Sequence, residues 1–202
     1  MTRTPSRPFA ALCNAALLAG CAALQPTAPA PPAAAQRAYA ENIELAGRLS
    51  VRYQGREKPE ALHGSFEWNQ SPAQTRVALL SPLGQTIAVI ESGADGARLL
   101  QANQPPRAAA DVNSLTAQTL GWPLPVAGLR DWLQGFGIDQ AGRRFTAAPG
   151  KEEFTTRDGW LVRYGAWPED GPPRPKRIDL QRTTAQAGEV AIRIVIDSWQ
   201  AR

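Results

Sequence analysis

Residues 76–90 read Arg76-Val-Ala-Leu-Leu-Ser-Pro-Leu-Gly-Gln-Thr-Ile-Ala-Val-Ile90. Two apolar runs, Arg76–Leu80 and Thr86–Ile90, flank Ser81-Pro82-Leu83-Gly84. Proline and glycine punctuate the chain between two strand-like runs, so this stretch predicts a β-hairpin with a Pro-Leu-Gly tip. The same strand signal recurs on both sides. Leu49, Val51 and Tyr53 alternate with Arg48, Ser50 and Arg52, the period-2 signature of a half-buried strand. Phe66 and Trp68 alternate with Ser65, Glu67 and Asn69, and a short strand fits Ala97 to Gln101.

The period then changes. Asp111 can N-cap a helix over Val112–Leu120, which Gly121 and Pro123 end. Pro125 can open a second helix with Leu129, Trp132 and Leu133 on one face, closed by Gly135. Strand patterning returns at 143–148, 152–156, 160–164, 177–182 and 190–199, where Ile192, Ile194 and Ile196 alternate with Arg193, Val195 and Asp197. No internal repeat stands out, and Pro168–Pro175 reads as a Pro-rich loop inside the domain. Many strands in sequence, two central helices and turn-length links predict an α+β fold that is mainly β. They predict one antiparallel sheet, curved or part-closed, with helices on one side.

The N-terminus carries a different signal. Arg3 and Arg7 precede an apolar run from Phe9 to Ala19, and Leu18-Ala19-Gly20-Cys21 follows. A positive segment, a short apolar segment and small residues before a cleavage point describe a secretory signal peptide. The run is about 11 residues, against the roughly 20 a spanning helix needs. The Cys thiolate can accept a diacylglyceryl group, and the amine freed by cleavage can accept a third chain. Leu-Ala-Gly-Cys resembles the lipobox of bacterial lipoproteins. Residues 1–20 are therefore expected to be a lipoprotein signal peptide and Cys21 a lipidated N-terminus. Residues 21–40 read as the lipidated Cys and a Pro/Ala-rich tether, and 41–202 as the folded domain. At about 3.1 Å per residue, the proline-rich stretch 22–38 reaches roughly 50 Å when extended. Ala22 follows the Cys. In bacteria resembling the enteric group, Asp at this place holds lipoproteins in the inner membrane, so its absence implies the outer membrane.

Composition narrows the chemistry. The formal charge of +4 for 202 residues falls to +2 once Arg3 and Arg7 leave with the signal, which is no argument for nucleic acid. Cys13 leaves too and Cys21 is acylated, so the domain is expected to have no disulfide and to rely on its core. His63 is the single histidine of the chain. It reads as part of a His-Gly loop before a strand, and no GxSxG elbow or GxxxxGK[ST] phosphate loop occurs. Glu152-Glu153 reads as a solvated strand entry rather than an acid/base pair. No catalytic residue, metal ligand or cofactor is expected beyond the lipids on Cys21. Arg174, Lys176, Arg177 and Arg182 cluster in sequence and read as a solvated face, with lipid phosphates or a partner's surface as the other reading.

Six ordered stretches carry a resemblance. They are Gly47–Tyr53, Phe66-Glu-Trp68, Leu80–Thr86, Gly121-Trp-Pro-Leu-Pro-Val-Ala-Gly-Leu-Arg-Asp-Trp-Leu-Gln-Gly135, Trp160–Tyr164 and Ile194-Val-Ile-Asp-Ser-Trp199. In order and spacing they resemble the LolB family of outer-membrane lipoprotein receptors, across almost the whole mature chain. The resemblance implies an unclosed antiparallel β-barrel of about eleven strands with a helical lid over an apolar cavity. It implies a monomeric receptor, anchored by lipid on the periplasmic face of the outer membrane. Such a receptor takes acylated lipoproteins from a soluble LolA-like periplasmic carrier and places them among outer-membrane phospholipid. Trp68, Leu79, Ile87, Val89, Leu129, Trp132, Trp160 and Ile194 are candidates for the acyl-chain cavity. Alternating apolar residues are more often plain core, and only the resemblance turns this set toward a ligand. Leu83 sits between Pro82 and Gly84, where a polar residue is usual. The resemblance makes this loop protrude and Leu83 insert into the membrane. Two other classes remain: a lipid-anchored hydrolase, which a carboxylate substitution would inactivate, and a peptidoglycan- or partner-binding lipoprotein, which would take up no apolar dye.

Overall fold

A computed structural model of the chain describes residues 37–55, 58–168 and 174–201. The expected signal peptide, Cys21, most of the expected tether and the centre of the Pro-rich loop lie outside the described residues. All the described residues fall in one compact unit, Ala33–Arg202.

The described residues form twelve strands and two helices in the order β1 (Ile43–Gln54), β2 (Pro59–Gln70), β3 (Gln74–Leu80), β4 (Thr86–Gly93), β5 (Gly96–Gln101), β6 (Arg107–Ala109), α1 (Val112–Leu120), α2 (Val126–Trp132), β7 (Phe136–Ile138), β8 (Arg144–Thr146), β9 (Glu153–Thr155), β10 (Leu161–Ala166), β11 (Arg177–Thr184) and β12 (Gly188–Ala201). Ten strands form one antiparallel sheet in the order β6-β5-β4-β3-β2-β1-β12-β11-β10-β9, and β7 and β8 pair separately. Among the described residues β6 and β9 keep open edges, so the barrel does not close. The hairpin expected at 76–90 is β3–β4. The short strands β6 and β7 were not legible, because three residues show no period. His63 is a correction: it does not precede a strand but lies within β2, opposite Ser50. The β1–β2 hairpin is longer than the apolar alternation suggested, since the first half of β2 is exposed and carries no such pattern.

Register explains the core. Leu49 faces Ile194 and Val51 faces Ile192 across β1–β12. Ile178 and Leu180 on β11 continue those rows. Trp68 aligns with Val77, and Val77 with Ile90. Because side chains alternate faces, aligned rows give one continuous apolar face. The other face carries ion pairs, among them Arg48–Asp197 at 2.8 Å, Arg193–Asp179 at 2.6 Å and Arg163–Glu153 at 2.9 Å.

Both helices lie against the apolar face and end as the sequence dictates. Asp111 accepts a hydrogen bond from Ser114 N–H at 2.8 Å and another from the Ser114 hydroxyl at 2.7 Å. Those bonds hold its carboxyl below the usual carboxylate range. Gly121 takes φ 82°, a left-handed cap that a side chain would strain. After α2, Gln134 is 1% exposed. Its carbonyl accepts from Ala40 N–H at 2.9 Å, and its amide donates to Ala40 O at 3.0 Å and Arg130 O at 3.2 Å. Arg130 donates to Thr75 Oγ1 at 2.5 Å and Ser71 O at 2.9 Å. The α2 end is thus clamped to the segment before β1 and to the β2–β3 turn.

Two measurements check this. Gln134→Ala strands the Ala40 backbone groups and is expected to cost about 2 kcal/mol in denaturant unfolding. Asp111 has a depressed folded pKa, so its contribution is present above its unfolded pKa and fades as pH falls through the folded value. Asp111→Ala should therefore lower the melting temperature at pH 7, and the gap to the parent should close in strongly acidic buffer.

Candidate functional site: an apolar cavity beneath the helices

A cavity of about 220 Å³ lies between the sheet and the helices. Leu49, Val51, Phe66, Trp68, Val77, Ile90, Ile192 and Ile194 form its floor. Leu120, Trp122, Leu124, Val126, Leu129 and Leu133 form its roof. No Asp, Glu, Lys or Arg lines it among the described residues. The Trp122 ring packs on Tyr53 with centroids 5.6 Å apart, and its indole N–H has no partner among the described residues. Such a wall cannot hold an ion or a polar substrate without a large desolvation cost. It suits a flexible apolar chain.

The cavity opens at one rim. Leu62 and Ile87 line it while remaining 49% and 50% exposed. Ile87 is the extra residue of a bulge, since Leu80 faces Thr86 and Leu79 faces Ala88. Beyond it the hairpin turns on Ser81–Gln85. Gly84 N–H donates to Ser81 O at 2.9 Å, and Ser81 N–H donates to Gln85 O at 2.8 Å. Gly84 takes φ 79°. This is a three-residue hairpin loop with proline setting the turn and glycine in the left-handed position. It leaves the Leu83 side chain 87% exposed.

Of the eight candidate wall residues, Trp68, Leu79, Ile87, Leu129 and Ile194 come together at this cavity. Val89, Trp132 and Trp160 do not line it. Val89 lies on the opposite face of the sheet, paired with Ala78 and Leu100. Trp132 joins a separate aromatic cluster, edge-on to Phe154 at 6.5 Å, where Phe154 stacks on Phe145 at 4.5 Å. Trp160 precedes β10, packed under the Arg182 guanidinium at 5.9 Å. Sequence reasoning missed Trp122, Leu124 and Val126. Their signal was the Trp-Pro-Leu-Pro-Val run linking the helices, too short to show a period.

The polar candidates have local partners. Arg177 pairs with Asp179 at 3.2 Å, Arg182 with Asp158 at 3.6 Å, and Arg174 lies over Trp199 at 5.5 Å. Glu153 bonds Arg163, while Glu152 accepts from Trp167 Nε1 at 3.4 Å. Among the described residues no group of three or more His, Cys, Asp or Glu is placed to hold a metal ion.

The profile of one family, described as outer membrane lipoprotein LolB, matches residues 41–199. The chain belongs to the LolB family. It is 40% identical to the outer-membrane lipoprotein LolB of Cupriavidus pinatubonensis, covering 99% of each chain. It is 40% identical to the LolB of Cupriavidus necator, covering 95% of this chain and 96% of that one. The LolB of Ralstonia nicotianae is 38% identical, over 90% of this chain and 91% of its own. Among solved structures, a LolA-superfamily protein from Nitrosomonas europaea covers 82% of this chain and 88% of its own at 12% identity, with a TM-score of 0.48.

If the cavity accepts apolar chains, a charge in its roof should close it to them. Leu129→Glu is expected to weaken binding of an apolar fluorescent dye by about tenfold or more, with an unchanged far-UV spectrum. Dye titration of both proteins checks this.

Proposed function

We propose that this LolB-family protein receives acylated lipoproteins from a soluble, LolA-like periplasmic carrier and inserts them into the inner leaflet of the outer membrane. In this reading it is a monomer with lipids on Cys21, held at the periplasmic face, and it performs no bond-making chemistry. The observation that carries the reading is a charge-free cavity whose mouth adjoins a hairpin with an exposed leucine at its tip.

The physics sets the requirements. Burying acyl chain stabilises by about 0.8 kcal/mol per CH₂, so a triacylated protein does not leave a membrane or cross water unaided. A receptor must bind the chains more tightly than the carrier and less tightly than the bilayer. Such a gradient drives one-way transfer with no nucleotide. Trp68, Leu79, Ile87, Leu129 and Ile194 would contact the acyl chains. A volume of about 220 Å³ is small for several chains, so loading would require the helices to move outward. Leu83 would enter the bilayer surface, gaining about 1.5–3 kcal/mol for a buried leucine. Pro82 and Gly84 would hold it there by fixing the turn.

The test is a transfer assay. Every core residue lies within Ala33–Arg202, so a chain beginning at Ala22 keeps the fold. Mixed with a carrier bearing a radiolabelled lipoprotein, it should take the label and pass it to liposomes. Leu83→Glu should take the label normally and deliver it at least about tenfold more slowly. Label that stays on a carrier proven competent with another receptor would refute the reading.

A further inference from the structure

The sheet has an interruption beside the cavity mouth. β2 pairs with β1 along its whole length, Pro59 to Gln70. It pairs with β3 only from Ser65 to Gln70, because β3 ends at Leu80 opposite Ser65. Residues 59–64 therefore keep one open edge. The parity of the ladder identifies its donors and acceptors. Ser71 N–H donates to Gln74 O at 2.8 Å in the β2–β3 turn. Hydrogen-bonded pairs alternate in an antiparallel ladder, so Asn69, Glu67 and Ser65 direct their backbone groups toward β3. By the same alternation, Ala61 and His63 direct theirs outward past the end of β3. Ser81 N–H bonding Gln85 on the far side of β3 agrees with this parity. Among the described residues no backbone partner meets Ala61 or His63 on that side. Pro82 borders His63 there and has no N–H to offer.

The edge is continuous with the cavity, since Leu62, His63 and Gly64 line its mouth. We propose that this edge of β2 binds the peptide that follows the acylated cysteine of a substrate lipoprotein, as an added antiparallel or parallel strand. The inference rests on the proposed receiving role. With acyl chains inside the cavity, the attached peptide must leave through the mouth and pass Ala61–Gly64. Backbone hydrogen bonds are indifferent to sequence, which suits a receptor for many different substrates. Pro59 and Glu60 limit the edge at its outer end, so only a short strand fits. That keeps the grip weak enough to release.

The test uses the mature chain with Cys21→Ser and three kinds of synthetic ligand. One is S-dipalmitoylglyceryl cysteine bearing a polar pentapeptide. The second is the same lipopeptide N-methylated at alternate residues, prepared in both alternations. The third is the acylated cysteine methyl ester without peptide. The expected result is that the plain lipopeptide binds about tenfold more tightly than the ester, as a few net hydrogen bonds allow. One N-methylated alternation should lose that advantage. Ala61→Pro should reduce it while leaving ester binding unchanged, because that N–H serves no ladder bond. Amide exchange at Ala61 and His63 should slow with the plain lipopeptide and not with the ester. Equal binding of all ligands would overturn the inference while sparing the cavity. Failure of every ligand to bind would refute the receiving role itself. Exchange already slow at Ala61 and His63 without ligand would mean that the chain covers its own edge, and would also overturn the inference.

Discussion

A curved sheet that stops short of closing has one apolar face that it cannot bury against itself. In this chain that face is a run of aligned rows, from Leu99 on β5 through Ile90, Val77 and Trp68 to Val51, Ile192, Leu180 and Val162. Exposed, it would be an aggregation surface. Something must cover it, and the chain between β6 and β7 supplies the cover in two short helices. The cover is incomplete. At the β9 end, aromatic rings fill the space: Phe145 stacks on Phe154 and on Tyr164, Trp132 sits edge-on to Phe154, and a Cβ on Gly137 would fall 2.2 Å from the Phe154 ring. At the β2–β4 end no such filling exists, and the cavity is what remains.

The cover is held unevenly. The end of α2 is tied to Ala40 through Gln134 and to the β2–β3 turn through Arg130. Tyr164 donates its hydroxyl to Trp132 O at 3.2 Å, and burial pushes its pKa up, so that it remains a donor at any ordinary pH. α1 is joined to the interhelical link by Gly121 N–H to Ala117 O and Leu124 N–H to Thr116 Oγ1, both at 2.9 Å, and its buried Val112 and Leu115 pack into the core. The link carries Trp122, buried and packed on the Tyr53 ring at 5.6 Å.

Much of this was legible in the sequence, and the reasons are local. Asp111 and Gly121 bound α1 as expected, because caps are decided by a few residues in contact with their own backbone. The β3–β4 hairpin and the inward rows of β12 follow from a strict period of two. What failed was non-local. Val89 stands in an unbroken apolar run, and only its register with Ala78 and Leu100 decides that it faces away from the cavity. Trp132 and Trp160 are as apolar as Trp68, yet which aromatic lines a void depends on what fills the neighbouring space. His63 reads as a loop residue in the sequence because an exposed hairpin arm has no apolar alternation to mark it.

The β3–β4 hairpin unites the two features on which the proposed role depends. Val77, Leu79, Ile87 and Ile90 face the cavity, and Leu83 projects from the tip of the same two strands. The bulge is the device that allows both. A regular ladder alternates faces, so Ile87 would follow Ala88 to the opposite side. The extra residue shifts the register, bends the strand and lets Ile87 reach the mouth while the turn continues outward. Part of the wall that would hold an acyl chain and the residue that would touch the bilayer therefore belong to one hairpin. In the proposed role a chain released at the mouth would meet Ile87 before the hairpin tip, because both lie on the same pair of strands.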